Sequence, residues 1–200
     1  MNSHLYNEAY YKTNNYQFYL DRASKYVKLV DEIHHMLSSL NLDQGPILDY
    51  GCAVGFVAQA MTNKNYEVDC VDISEWAREE CKKKNLNVSE FPDYSKQYGV
   101  TFALDVLEHL TLDELNVFMD NIKTSVMIIR VPICLENEDD YYFPEARSDT
   151  THIIKWSHKQ WDSYIRSKKY HPIELNLSTI YCSPGGYCAL CISTSTKPQS

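Results

Sequence analysis

Apolar residues between Gln17 and Leu40 recur at steps of three and four: Leu20, Ala23, Val27, Val30, Ile33, Leu37 and Leu40. That is the period of an amphipathic helix, and it predicts one lying against the domain that follows. The cluster Asp43-Gln44-Gly45-Pro46 stops it. Ile47-Leu48-Asp49-Tyr50 then reads as a short buried strand running into a glycine turn, and Phe56 to Met61 continues as a helix. Tyr66 to Ile73 predicts a second strand, with Ser74 placed to cap a helix carrying Trp76, Ala77 and Cys81. Leu86 to Phe91 gives a weaker third strand and Val100 to Leu107 a clearer fourth. Thr111 and Glu114 form a capping box ahead of the apolar face Leu112, Leu115, Phe118, Met119 and Ile122. The apolar run Val126 to Val131, broken only by Arg130, is the pattern of a strand buried on both faces.

From Pro132 to Thr151 the periodicity is lost, and Glu136, Glu138, Asp139, Asp140, Glu145 and Asp149 face the single Arg147. The segment reads as a loop over something, a mobile lid above a ligand. Ser157 and Gln160 make another capping box for a helix with Trp161, Tyr164 and Ile165. Two strand-like runs then flank Ser183-Pro184-Gly185-Gly186 as a hairpin. Strands alternating with helices predict an α/β fold, a mostly parallel sheet with helices on both faces and one antiparallel strand at the end.

The chain has 200 residues, 44% hydrophobic and 23% charged, which suits one domain with one sizeable core. Lys and Arg number 19 against 27 Asp and Glu, a net charge of -8. This disfavours nucleic acid and anionic lipid as partners. The apolar runs are too short to span a bilayer, and the polar, Tyr-rich beginning has no secretory pattern, so a cytoplasmic location is expected. Seven cysteines sit mostly within apolar runs, as buried free thiols in a reducing compartment would. Cys182, Cys188 and Cys191 invite a zinc reading. Cys188 and Cys191 on one strand would point to opposite faces, however, which argues against it.

The turn Asp49-Tyr50-Gly51-Cys52-Ala53-Val54-Gly55 follows the first strand and opens a helix, where a nucleotide-like cofactor can approach the backbone closely. Its glycines are four apart, unlike the usual dinucleotide fingerprint. Asp72, at the end of the second strand, is placed to accept hydrogen bonds from ribose hydroxyls.

Three segments taken together, Ile47 to Gly55, Val71-Asp72-Ile73-Ser74 and Asp105-Val106-Leu107-Glu108-His109-Leu110, resemble the class I S-adenosylmethionine-dependent methyltransferases. Arg130-Val131-Pro132, a loop and His152-Ile153-Ile154-Lys155-Trp156-Ser157 are similar to the branch acting on small molecules and sugars. The likeness runs from about Ile47 to Ile192. It implies a Rossmann-like sheet of seven strands, the last antiparallel in the C-terminal hairpin, with residues 46–194 as the core, 1–45 as a helical cap and 1–200 as one domain. It further implies that Asp49, Tyr50 and the turn Gly51, Cys52, Ala53 and Gly55 hold the methionine end of S-adenosylmethionine. Asp72 and Ile73 would then meet the ribose, Asp93 or Tyr94 the adenine, and Asp105 would border the cofactor. Ala53 departs from the family by replacing a third glycine, and its methyl group should hold the backbone there to ordinary angles.

The implied reaction is direct methyl transfer, in which positioning an acceptor about 3 Å from the methyl carbon dominates. His152 is the expected base or orienting group and His109 the alternative, favouring O-methylation of a small hydroxylated acceptor or sugar. A base of ordinary histidine pKa would make the rate rise between about pH 6 and 7.5. The acidic loop shows no fixed ligand spacing, so no metal is expected. Tyr10, Tyr11, Tyr16 and Tyr19 either stack on substrate or fasten the N-terminal helix. Competing readings are a catalytically silent S-adenosylmethionine-binding regulatory protein, an N-methyltransferase of a small amine or protein, and a nicotinamide oxidoreductase.

Overall fold

A computed structural model of the chain describes residues 3–13, 18–180 and 182–194. A short helix α1 (Glu8–Lys12) and a 3-10 turn (Tyr19–Arg22) precede the long helix α2 (Ala23–Ser39). The buried stripe of α2 is Leu29, Val30, Ile33 and Leu37. Leu20, Val27 and Leu40, which the apolar spacing placed on that stripe, are exposed. A three- and four-residue period fixes a helix but allows its buried face to rotate by one position.

The chain then alternates: β1 (Ile47–Tyr50), α3 (Phe56–Thr62), β2 (Val68–Val71), α4 (Glu75–Lys82), β3 (Asn87–Ser89) and β4 (Gln97–Leu104). There follow α5 (Leu112–Asn121), β5 (Lys123–Pro132), α6 (Pro144–Ser148), α7 (His158–Ser167), β6 (Tyr170–Glu174) and β7 (Gly186–Ser193). The seven strands form one sheet in the order β3-β2-β1-β4-β5-β7-β6. Strands β1 to β5 pair in parallel, and β7 runs antiparallel between β5 and β6. The expected architecture is therefore the observed one.

Alternation along the central strands divides the interior into two layers. Val126 and Ile128 of β5, with Cys188 and Leu190 of β7, face the layer built by α2 and α3. Met127, Ile129 and Val131, with Tyr187, Ala189 and Cys191, face the layer built by α5 and α7. Cys188 and Cys191 do point to opposite faces. All seven cysteines are buried thiols.

Local capping follows the sequence. The Ser74 hydroxyl accepts from Ala77 N at 3.1 Å, Glu114 accepts from Thr111 N at 2.8 Å, and Gln160 accepts from Ser157 N at 2.8 Å. Such caps each stabilise a helix by about 1 kcal/mol.

The segment after β5 is fastened at its middle. Tyr141 is fully buried and donates through its hydroxyl to the Ile154 carbonyl at 2.7 Å, while Cys134 bridges to both Tyr141 and Ser157.

Candidate active site

Strand order reverses between β1 and β4, where the chain leaves β1 toward β2 on one side and returns to β4 on the other. Crevices in open α/β sheets form at that point, beyond the carboxyl ends of the strands. A cavity of about 1180 Å³ lies there, lined by Tyr50 and Gly51 after β1, Asp72 and Ile73 after β2, Asp105 after β4 and Arg130 of β5.

One half of the cavity is made by the glycine turn. Gly51 takes φ 74° and Gly55 φ 76°. A Cβ on Gly51 would stand 2.4 Å from the Val106 side chain, so this position requires glycine both for its angle and for its close approach. Ala53 also lies in the left-handed region, at φ 48°. Its methyl group does not hold the backbone to ordinary angles, because the Asp72 carboxylate accepts from Ala53 N at 2.8 Å and fixes the turn. The other Asp72 oxygen accepts from Ser74 N at 2.8 Å. Each oxygen keeps a second lone pair for a ligand. Asp72 is 8% exposed, and burial raises its pKa above the usual carboxylate range.

Asp49 has a different place from the one implied by the resemblance. It is buried beneath the turn, does not line the cavity and accepts from Ala58 N at 3.1 Å, tying β1 to α3. Burial pushes its pKa up to about 7. Cys52 and Gly55 likewise support the turn from below, with Cys52 Sγ 3.9 Å from Cys81 Sγ. Asp93 does not line the cavity and accepts from Ser95 N and Oγ, while its neighbour Tyr94 lines the wall. Tyr50, Gly51, Ala53, Asp72, Ile73, Tyr94 and Asp105 are thus brought together. Asp105, itself at φ 55°, is paired with Arg130.

The other half is gathered from distant parts of the chain. Glu108 and His109 form a 3-10 turn just past β4, both buried. Main-chain N–H groups of Ile153 and Ile154 donate to the Glu108 carbonyl at 2.8 and 3.0 Å, which brings His152 back to the same wall. The imidazoles of His109 and His152 lie 4.6 Å apart between ring centres. Burial lowers the pKa of both, that of His109 to about 4. A histidine of ordinary pKa is therefore not what the wall offers, and both rings are neutral at pH 7.

The N-terminal segment covers both halves. Ser74 Oγ donates to the Tyr6 carbonyl, Tyr11 stacks on Trp76 at 5.1 Å, and the Tyr6 hydroxyl lies 3.2 Å from His109 Nδ1. Tyr10 donates to Asp149 at 3.1 Å. Tyr10, Tyr11 and Tyr19 all line the cavity. They fasten the segment and also face the cavity, while Tyr16 lies outside the described residues. Tyr6, Tyr26, Glu108 and Arg130 also line it without having been singled out. Of these Glu108 and Arg130 carried a sequence signal, Glu108 beside His109 just past a strand end and Arg130 at the head of the Arg130-Val131-Pro132 segment.

A model of the methyltransferase domain matches residues 20–132, more than half of the chain, including the glycine turn, Asp72 and Asp105. The chain belongs to the methyltransferase-domain family. It is a class I S-adenosylmethionine-dependent methyltransferase, and S-adenosylmethionine is its cofactor. No curated protein matches it. Among solved structures it is similar to the methyltransferase domain of the bacterial protein CtHen1, with 18% identity over 82% of this chain and 97% of that one, TM-score 0.61. It is also similar to Streptomyces venezuelae DesVI, with 12% identity over 88% and 95% of the two chains, TM-score 0.67. A third is magnesium protoporphyrin IX methyltransferase from Synechocystis with bound S-adenosylmethionine, 15% identical over 86% and 81%, TM-score 0.59. At these identities the likeness speaks for the fold. No helix among the described residues of this methyltransferase is long and apolar enough to cross a membrane.

Proposed function

We propose that this methyltransferase transfers the methyl group to a hydroxyl of a small acceptor seated beside the cofactor. The observation that carries the reading is the division of one cavity into a glycine-turn half and a wall of Glu108, His109 and His152. Small-molecule sites run from about 300 to 1,000 Å³, so a cavity of about 1180 Å³ has room for cofactor and a small acceptor together. On this reading Asp72 meets the ribose, Tyr94 the adenine and the Gly51 turn the methionine end. The wall takes the acceptor. His152 is the better-placed base or orienting group, since its Nε2 lies 3.7 Å from Asp149, whose negative charge would favour the protonated ring.

An acceptor hydroxyl becomes a competent nucleophile as its proton is withdrawn, whereas an amine needs only to arrive neutral. Screening hydroxylated small molecules, sugars and amines for release of S-adenosylhomocysteine tests the proposal. Turnover of hydroxyl acceptors is expected, falling by roughly 10²- to 10⁴-fold in His152→Ala with cofactor affinity nearly unchanged. Turnover of amines alone would make the enzyme an N-methyltransferase. Cofactor binding without release on any acceptor would leave a binding protein.

A further inference from the structure

Glu108 is 1% exposed, and neither of its carboxylate oxygens has a hydrogen-bond partner from another described residue. A buried carboxylate without partners is costly, by several kcal/mol when charged. It lies in the cavity wall, so the deficiency is open to a ligand.

The two histidines beside it are set to present lone pairs toward the same space. His152 Nδ1 lies 3.0 Å from the Ala146 carbonyl, which can only accept, so Nδ1 carries the proton and Nε2 is unprotonated. His109 Nδ1 lies 2.9 Å from the Thr151 hydroxyl, which donates its own proton to Asp149 and so accepts here, and 3.3 Å from the Thr151 carbonyl; Nδ1 therefore carries the proton and Nε2 is bare. Those two Nε2 atoms stand 3.9 and 4.0 Å from Glu108 Oε1. The three side chains bring one donor atom each within 4.8 Å of one another. A ring nitrogen oriented by a carbonyl behind it is the arrangement that fixes metal-binding histidines. The surrounding charge also suits a cation: Asp105 and Asp149 lie nearby, and the neighbouring cation Arg130 is paired with Asp105.

Resting on the reading of this wall as the acceptor side, we infer that Glu108, His109 and His152 form a site for a divalent transition-metal ion that orients the acceptor through adjacent oxygens. Donors around one ion with bonds of about 2.1 Å stand about 3 Å apart. Side-chain rotations of about 1 to 2 Å would close the triad. Two imidazoles and one carboxylate favour ions such as Co²⁺, Zn²⁺ or Fe²⁺ over Mg²⁺ or Ca²⁺, which take all-oxygen sets. Three ligands on one side leave positions for two acceptor oxygens, as in a vicinal diol, a catechol or a 2-hydroxy acid. Polarised by the ion, the hydroxyl loses its proton to solvent. The oxygen then forms the new O–CH₃ bond as the S–CH₃ bond breaks, and the electron pair left on sulfur gives S-adenosylhomocysteine. The histidines act on this view as ligands, and the exposed carboxylates of the acidic loop take no part.

Titration of the apo protein with Co²⁺, followed by visible absorption and calorimetry, tests the site without turnover. One ion per chain is expected, with the ligand-field bands of nitrogen and oxygen donors. Affinity should fall by about 10- to 100-fold or more in Glu108→Gln and in His152→Asn. Retained S-adenosylmethionine binding shows that each variant is folded; for a variant that loses it, the wild-type titration alone decides. Absence of Co²⁺ binding, unchanged affinity in both folded variants, or a sulfur-to-metal absorption band each overturns the metal site. Methyl transfer to a hydroxyl acceptor that persists undiminished in excess chelator would do the same while leaving the O-methylation reading intact.

Discussion

The two halves of the cavity are built on opposite principles. In the cofactor half the two buried carboxylates already have main-chain donors: Asp72 holds Ala53 and Ser74, and Asp49 holds Ala58. These residues are near one another in sequence, and the turn is rigid before any ligand arrives. In the acceptor half Glu108 has no such donor from another described residue, and beside its neighbour His109 the wall is completed from remote segments by His152, which approaches Glu108, and by Tyr6, which meets His109. Preorganisation on one side and unmet bonding capacity on the other separate a site that recognises one constant ligand from a site that is completed by its substrate.

The largest test of this contrast is a pH experiment on the foundation of the cofactor half. Asp49 ionises near pH 4 in an unfolded chain but near 7 in the fold. Its contribution to stability is therefore full below about pH 4 and is lost as pH rises through about 7. In Asp49→Asn the amide oxygen still accepts from Ala58 N and nothing titrates. Between pH 5 and pH 8 the variant should gain on the wild type by about 2 to 3 kcal/mol in urea unfolding. Parallel curves at the two pH values would mean that Asp49 is not isolated from water.

On the acceptor side, stability and activity should part. Glu108→Met replaces an unpartnered buried carboxylate with an apolar chain of similar length. It is expected to raise the stability of the apo protein by roughly 1 to 3 kcal/mol while methyl transfer is lost. Thermal unfolding checks it, and a lower melting temperature would show that Glu108 has a structural partner after all.

The smallest effect belongs to Asp72→Ala, where the two should fall together. Loss of hydrogen bonds to a charged acceptor corresponds to about 10- to 100-fold weaker S-adenosylmethionine binding in calorimetric titration. A modest drop in melting temperature should accompany it, because Ala53 and Ser74 lose their acceptor. Unchanged affinity would remove Asp72 from the ribose site.

The same contrast decides what could be read from the sequence. Ile47 to Gly55 and Val71 to Ser74 are contiguous, so strand, turn and cap all showed in local patterns. Which side chains of the glycine-turn half line the cavity was legible, except where only depth separates neighbours. Asp49 and Tyr50 are adjacent on β1, and alternation sends one beneath the turn and the other into the cavity. The strain at Ala53 was missed because a hydrogen bond from a residue on another strand imposes it. Glu108 was passed over for its neighbour His109, since nothing local says that its oxygens lack partners. Tyr6 had no signal at all; its role exists only once the N-terminal segment crosses the sheet.

One feature of the fold joins these themes differently. Strand β5 sends Val126 and Ile128 to one layer, Met127, Ile129 and Val131 to the other, and near its end sets Arg130 beside Asp105. Deleting one residue within that run would shift its pairing with β4 and β7 by one and turn every side chain over. Both cores would then lose their shape, and the guanidinium would leave the cavity wall in the same stroke. Reading-frame-preserving insertions and deletions are thus far more dangerous in β5 than substitutions. The strand's length is held constant by packing and by chemistry at once, which leaves change in this enzyme to arise residue by residue there and by loop length elsewhere.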